Sequence, residues 1–356
     1  MCWKANWKQT RQHFLDWWSR DGLVLGMWGH GFPQPQPVHE NCDLPPKTND
    51  LEKYHSDPQY VTQKWHARMA HCLFPADSLP IIRPSIGTVE LAAYLGADVT
   101  FQEETLWYGH IPSRDAIVLD PNNKWYHRMC ETLRRTVQTA NGNYAVGMPG
   151  ISPGLDVLAE LHGTQELMMD MLDRPEWVKA RLDEIDAVYF EVFDKFREII
   201  RQPDGSMAYY PFMIWGPGRV SVLQCDAAAM ISEDLFHEFV VPSVRRCCDW
   251  LDHSLFHVDG PGMLKHVDAL CEIESLDAIQ FTPGPNVPRG ADPHWHSLYK
   301  RVLAAGKCVQ ATWMSPADVI PLLDAIGTKG VYVQVECQNA HEMETLAQEV
   351  AKLHSK

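Results

Sequence analysis

The chain has 356 residues, 45% hydrophobic and 22% charged, which is enough apolar material for a large core. Asp and Glu number 46 against 31 Lys and Arg, a formal charge of -15. That balance argues against a nucleic-acid or anionic-membrane partner, and the composition excludes disorder, collagen and coiled coil as the whole architecture. The first residues, Met1 to Lys8, carry no signal pattern, and no apolar run approaches the roughly 18 residues of a membrane span. Ten cysteines are too sparse for a disulfide scaffold, so reduced thiols in a cytoplasmic protein are expected.

In chain order, Trp3 to Trp18 reads as a capping helix with Trp7, Phe14, Trp17 and Trp18 near one face. Leu23 to Trp28 is a strand. Gly31 to Pro46 holds five prolines and is expected to be a long loop, a lid over a strand end or a docking surface. Asp50 to Cys72 reads as helix, Leu79 to Arg83 as strand and Val89 to Leu95 as a short helix. Asp98 to Asp120 is mixed. Lys124 to Ala140 is helical, Tyr144 to Met148 is a strand, and Leu155 to Leu172 and Pro175 to Ile200 are helices.

From Met213 the pattern becomes regular. Strands are expected at Met213 to Trp215, Val220 to Leu223, Leu255 to His257, Ala278 to Phe281, Cys308 to Thr312 and Val331 to Val335. Helices are expected at Ser232 to Leu251, Met263 to Cys271, Pro293 to Ala304, Pro316 to Ile326 and Ala340 to Leu353. Units of roughly 25 to 30 residues with this alternation predict a parallel α/β fold, a single TIM barrel over 1–356 with residues 1–20 as a helical extension. No low-complexity linker divides the chain.

In such barrels the active site forms where strands end. The strand ends here carry His30, Arg83, Trp215, Cys225 and Asp226, His257 and Asp259, Gln280, Trp313 and Cys337. His257 and Asp259 are two apart, so their side chains share a direction. Histidine, aspartate and cysteine at a barrel mouth are what a metal or an acid/base site produces. Each also has a bland reading: a hydrogen-bonded core histidine, a buried small thiol, or an aspartate capping a turn. No phosphate-binding Gly-rich loop, dinucleotide fingerprint, His-Glu-x-x-His or Cys-x-x-Cys occurs.

The stretch from Gln224-Cys225-Asp226 through Ile231-Ser232-Glu233-Asp234-Leu235-Phe236-His237-Glu238-Phe239 to Pro242 resembles the uroporphyrinogen decarboxylase superfamily. His257-Val258-Asp259-Gly260 stands where its zinc-dependent, cobalamin-linked methyltransferases carry His-x-Cys-Gly, and Cys337 stands where they place their last cysteine ligand. Pro80 through Gly96 also resembles that superfamily's second βα region. The decarboxylases' paired arginines on the first strand are missing from Leu23 to Gly31. The resemblance therefore implies the methyltransferase branch.

It implies zinc on His257, Asp259 and Cys337, with Cys225 as an alternative ligand, and cobalamin on a partner corrinoid protein. Asp226, His257 and Asp259 would be catalytic. His30, Arg83, Tyr108, Trp215, Gln280 and Trp313 would surround a small methyl donor or acceptor. A homodimer is compatible with this reading. Two other classes remain: a metal-free lyase or decarboxylase acting on a small carboxylated molecule, and a corrinoid or metal binder without turnover.

Overall fold

Short apolar runs alternate with helices through the second half of the chain, and each such run pairs in parallel with the next. The structure is a computed structural model that describes residues 1–29, 31–111 and 116–353. We label the strands of its central layer, with one hairpin joined to it, β1 (Leu23–Gly26), β2 (Ile81–Ile82), β3 (Ala145–Val146), β4 (Met207–Tyr209), β5 (Ile214–Gly216), β6 (Val220–Gln224), β7 (His253–Asp259), β8 (Ala278–Thr282), β9 (Cys308–Met314) and β10 (Val331–Val335). Six of them form one parallel sheet in the order β1-β10-β9-β8-β7-β6. β2 pairs in parallel with β3, and a parallel bridge joins Met148 to Tyr209 at the end of β4. The strands are buried almost throughout, as parallel strands covered on both faces must be. The architecture is thus an α/β fold with a central parallel sheet flanked by helices. Among the described residues no helix is long and apolar enough to cross a membrane.

Several expected elements are interrupted, each for a local reason. The helix expected from Asp50 to Cys72 breaks between Leu51–Ser56 and Pro58–Ala70, where Asp57 accepts from Tyr60 N and Pro58 takes the first helical position. The helix expected from Leu155 to Leu172 breaks at Gly163, whose φ of 103° no L-residue adopts at ease. Ser232 to Leu251 forms two helices, with Pro242 in the first turn of the second. Val99–Phe101 and Leu106–Tyr108 form an antiparallel hairpin inside the segment read as mixed.

The proline-rich segment from Gly31 to Pro46 is not free connection. Phe32–Pro33 pairs with Cys72–Leu73, and Gln34 N and Val38 N donate to His71 O and Ala70 O at 2.8 and 2.9 Å. Trp3 stacks on His39, with ring centroids 4.8 Å apart. A lid that swings from β1 would have to break these contacts, so the first half of the segment is a fixed wall.

One end of the sheet is closed by the helix Trp7–Trp18, which buries Phe14, Trp17 and Trp18. Trp17 Nε1 donates to Gly330 O at 3.2 Å and Trp18 Nε1 to Trp215 O at 2.9 Å. Trp215 was expected beside the substrate, but it lies at this opposite end. β4 rises with the parallel strands; β5 then returns antiparallel, so its residues descend toward the helix. There the fully buried Trp215 meets Trp7 edge-on at 5.2 Å and donates to Ser206 Oγ.

The turn between β4 and β5 is the centre of the molecule. Phe212 O accepts from Gln310 Nε2 at 2.7 Å and from Gln334 Nε2 at 2.9 Å, and Met213 O accepts from Tyr332 OH at 3.0 Å. The donors belong to β9 and β10, so the turn lies against the inner face of the sheet. Gly26 of β1 makes room there, because a methyl group at that position would meet the Tyr332 hydroxyl at 2.7 Å. All three donor residues are fully buried, where an unpaired carbonyl is expensive. Replacing either Gln310 or Gln334 by Leu should lower stability by about 1 kcal/mol. The double variant should lose more than the sum, since only then is Phe212 O unpaired. Urea unfolding midpoints of the three variants check this; an additive double variant would show that the turn is held elsewhere.

Candidate active site at the strand ends

β7 ends with His257 and Asp259 on one side of the strand, and β6 runs through Cys225 into a short 3₁₀ turn that begins at Asp226. One ligand atom from each of Asp226, His257 and Asp259 lies within 4.8 Å of the others, and no other such trio of His, Cys, Asp or Glu occurs among the described residues.

Each member is held in place. Asp156, buried in the helix Leu155–His162, accepts from Asp226 N at 2.9 Å and Ala227 N at 3.0 Å, which fixes the 3₁₀ turn. Gln224 Nε2 donates to Asp226 Oδ2 at 3.3 Å. His257 Nδ1 makes a short hydrogen bond to Gln280 Oε1, and Gln280 Nε2 donates to Thr282 Oγ1 at 2.8 Å. With the amide oxygen facing the imidazole, Nδ1 carries the proton and Nε2 keeps a free lone pair. After Asp259, Gly260 turns the chain with a φ of 75° into the next 3₁₀ segment.

Burial lowers the His257 pKa, so the ring is neutral at physiological pH. Asp226 moves the other way. Its carboxyl opens toward the mouth, yet surrounding protein, together with Asp156 and Asp259, raises its pKa to about 7. A neutral imidazole and a carboxyl poised between its two states stand side by side. Such a set can bind a divalent cation or exchange a proton.

An aromatic wall adjoins them. The Phe212 ring lies 4.9 Å from His257, and Trp28, 39% exposed, meets Phe212 edge-on at 5.7 Å. Trp313 stands half-buried at the end of β9, with its carbonyl accepting from Gly290 N. Arg83, at the end of β2, stacks 5.7 Å from the Tyr210 ring centroid. Tyr108 donates to Thr88 O at 2.7 Å and belongs to the hairpin beside Arg83. Gln280 is fully buried, with its amide between His257 and Thr282. His30 lies outside the described residues.

Cys337 and Cys225 are not part of the cluster. Cys337 Sγ faces Met343 Sδ of the C-terminal helix at 3.6 Å, and burial raises its pKa to about 11. Cys225 is buried, with its thiol pushed well above the usual value by desolvation and then by Asp156. The residue grouped with His257 and Asp259 is Asp226, not Cys337 as the sequence suggested. Sequence reasoning missed Asp156 and Phe212 altogether. Asp156 looks like one more helix-start acid, and Phe212 like one more core aromatic.

A cavity of about 560 Å³ lies elsewhere, between the Trp7–Trp18 helix, β1 and the helix Ala340–Leu353. His13 and Asp77 on its wall are structural: Asp77 accepts from Leu25 N at 3.0 Å and from His13. The Asp226–His257–Asp259 group lies apart from this cavity.

No protein-family model matches the chain, and no curated protein matches it by sequence. Solved structures do match it. One is a methyltransferase from Methanosarcina mazei, with a TM-score of 0.63 and 10% identity over 97% of this chain and 99% of that one. At that identity the likeness is one of fold.

The raised Asp226 pKa makes the metal-free protein pH-sensitive. The folded state holds this proton more tightly than the unfolded chain, so the stabilisation is complete below the ordinary aspartate value of 3.8 and is lost as pH rises through about 7. Chelator-treated protein should therefore melt at progressively lower temperature from about pH 5 to about pH 8. Asp226→Asn should flatten that slope; equal slopes for the two proteins would refute the assignment.

Proposed function

We propose that the strand-end cluster is the active site of a methyl-transferring enzyme that works with a divalent metal and a corrinoid-carrying partner protein. We also read the central sheet, with β2, β3 and β4, as a closed TIM-type barrel, which would put all these strand ends at one mouth. The observation that carries the functional reading is the grouping of Asp226, His257 and Asp259 within ligand distance. The fold likeness to a methyltransferase and the resemblance of residues 224–242 support it.

The donor set fits a metal. Three side chains offer one imidazole nitrogen and two carboxylates, their ligand atoms lie close together, and His257 and Asp226 each have an orienting glutamine. Three protein ligands leave a position open for substrate, as catalytic sites require. Oxygen-rich ligation is harder than a cysteine-bearing set and admits zinc, iron(II) or manganese. When bound, such an ion acts as a Lewis acid that lowers the pKa of a thiol or activates a methyl donor.

The chain's own residues do the rest. Gln280 keeps His257 in the tautomer that presents Nε2. Asp156 fixes the backbone under Asp226. Trp28 and Phe212 supply an apolar face that excludes water from a transferring methyl group.

A metal-free lyase is the second reading. Its support is Asp226 itself, a carboxyl titrating at about 7 and thus able to donate a proton at Oδ2.

Metal analysis of protein purified without added metal separates the two. The methyltransferase reading expects close to one divalent ion per chain, lost in His257→Ala and Asp259→Ala and retained in Cys337→Ala. Gln280→Ala should weaken metal affinity by roughly 10- to 100-fold, the usual effect of removing a ligand's orienting partner. Metal-free wild-type protein that also fails to take up zinc, iron(II) or manganese would sink this reading in favour of the lyase.

A further inference from the structure

Arg83 follows β2 and is half-buried, yet it makes no hydrogen bond and no close ion pair with any described residue. The neighbouring acid, Glu90, feels its charge, which opposes the rise that burial imposes on that carboxyl, but makes no hydrogen bond to it. Glu90 is fully buried and is already occupied by the Ser85 hydroxyl, by Tyr94 OH at 2.8 Å and by Gly150 N at 2.8 Å. Backbone packs closely beside the guanidinium: a methyl group at Gly150 would meet Gly87 O at 2.5 Å and Arg83 Nη1 at 3.5 Å. A guanidinium has five donors in a fixed fork and is weakly hydrated, so it is suited to hold a carboxylate by two parallel bonds.

Its position relative to the cluster matters. Arg83 stacks over Tyr210, and Phe212, two residues on, packs on His257. Arg83 and the Asp226–His257–Asp259 group therefore border the same tethered turn from two sides. Two of the cluster's three members are carboxylates, so the turn has acidic groups near Phe212 and, over Tyr210, a cation whose hydrogen-bond donors have no partner among the described residues. Trp28 meets Phe212 edge-on, so aromatic rings stand beside both groups.

We propose that Arg83 anchors a carboxylate on a substrate whose body is apolar or aromatic, and that the substrate lies along the 210–213 turn with its reacting end toward the Asp226–His257–Asp259 cluster. This rests on the reading of that cluster as the active site, but its test does not depend on the metal or on turnover.

The test is calorimetric binding of benzoate and of its neutral isostere benzamide to the full chain, with and without chelator. Chelator removes any ion that would compete with Arg83 for the carboxylate. Benzoate should bind at least about tenfold more tightly than benzamide, as expected for a charge-assisted bidentate pair. Arg83→Gln should erase that preference, and Arg83→Lys should keep part of it. Melting temperatures equal to wild type would show that both variants fold, and if Arg83→Gln does not fold the lysine variant still decides. Equal binding of the two compounds to wild type, no binding of benzoate, or an undiminished preference in either variant would overturn the proposal. The two readings fail separately. His257→Ala that loses metal but keeps the benzoate preference supports the anchor alone, whereas retained metal with no preference refutes only the anchor.

Discussion

The Phe212 carbonyl, held by two glutamine amides, is the constraint on which the rest of the arrangement depends. A buried parallel sheet normally carries long apolar runs packed against aliphatic side chains. Here the interior positions of β7 to β10 are His257, Gln280, Gln310, Tyr332 and Gln334, and the register sets His257 beside Gln280, Gln280 beside Gln310, and Gln310 beside Tyr332. So much buried polarity is tolerable only if its donors find acceptors. The β4–β5 turn brings them in the form of backbone carbonyls. The same turn then delivers the Phe212 ring against His257, so the element that takes up these donors also shapes the site, although Gln310 Oε1 and Gln334 Oε1 find no partner among the described residues.

The site has a graded rigidity. His257 and Asp259 ride on a seven-residue strand with partners on both sides. Asp226 rides on a short 3₁₀ turn whose amides are pinned by a single carboxylate, Asp156. Two members of the cluster are thus set by the sheet, while the third is set by a side chain from a distant helix. Any adjustment between empty and loaded states falls on the Asp226 side, where the fewest contacts must change.

Much of this was legible in the sequence, and the failures have one physical cause. Where an apolar run is followed by an amphipathic helix, local pattern and tertiary role agree. Pro316–Ile326, Val331–Val335, Lys124–Ala140 and Pro175–Ile200 fall where the pattern places them. His257, Asp259 and Asp226 follow from the rule that parallel strands end on a common face. Trp215 does not, because one antiparallel reversal sends β5 the other way, and nothing in Met213 to Trp215 announces a change of direction. Cys337 does end a parallel strand, but its side chain turns to Met343 on the following helix. Strand-end position gives the neighbourhood of a residue, and only packing decides where its side chain points.

The replacement of thiolate by carboxylate at Asp259, with Asp226 as its companion, changes what the site can endure. A cysteine ligand climbs the ladder from sulfenic to sulfonic acid under peroxide, and a sulfur-bound metal leaves with it. None of the three atoms grouped here is sulfur, and Cys225 and Cys337 have thiols that burial keeps protonated and slow to oxidise. The donor set itself is thus inert to oxygen. Any sensitivity of this protein to air would have to arise outside these three side chains.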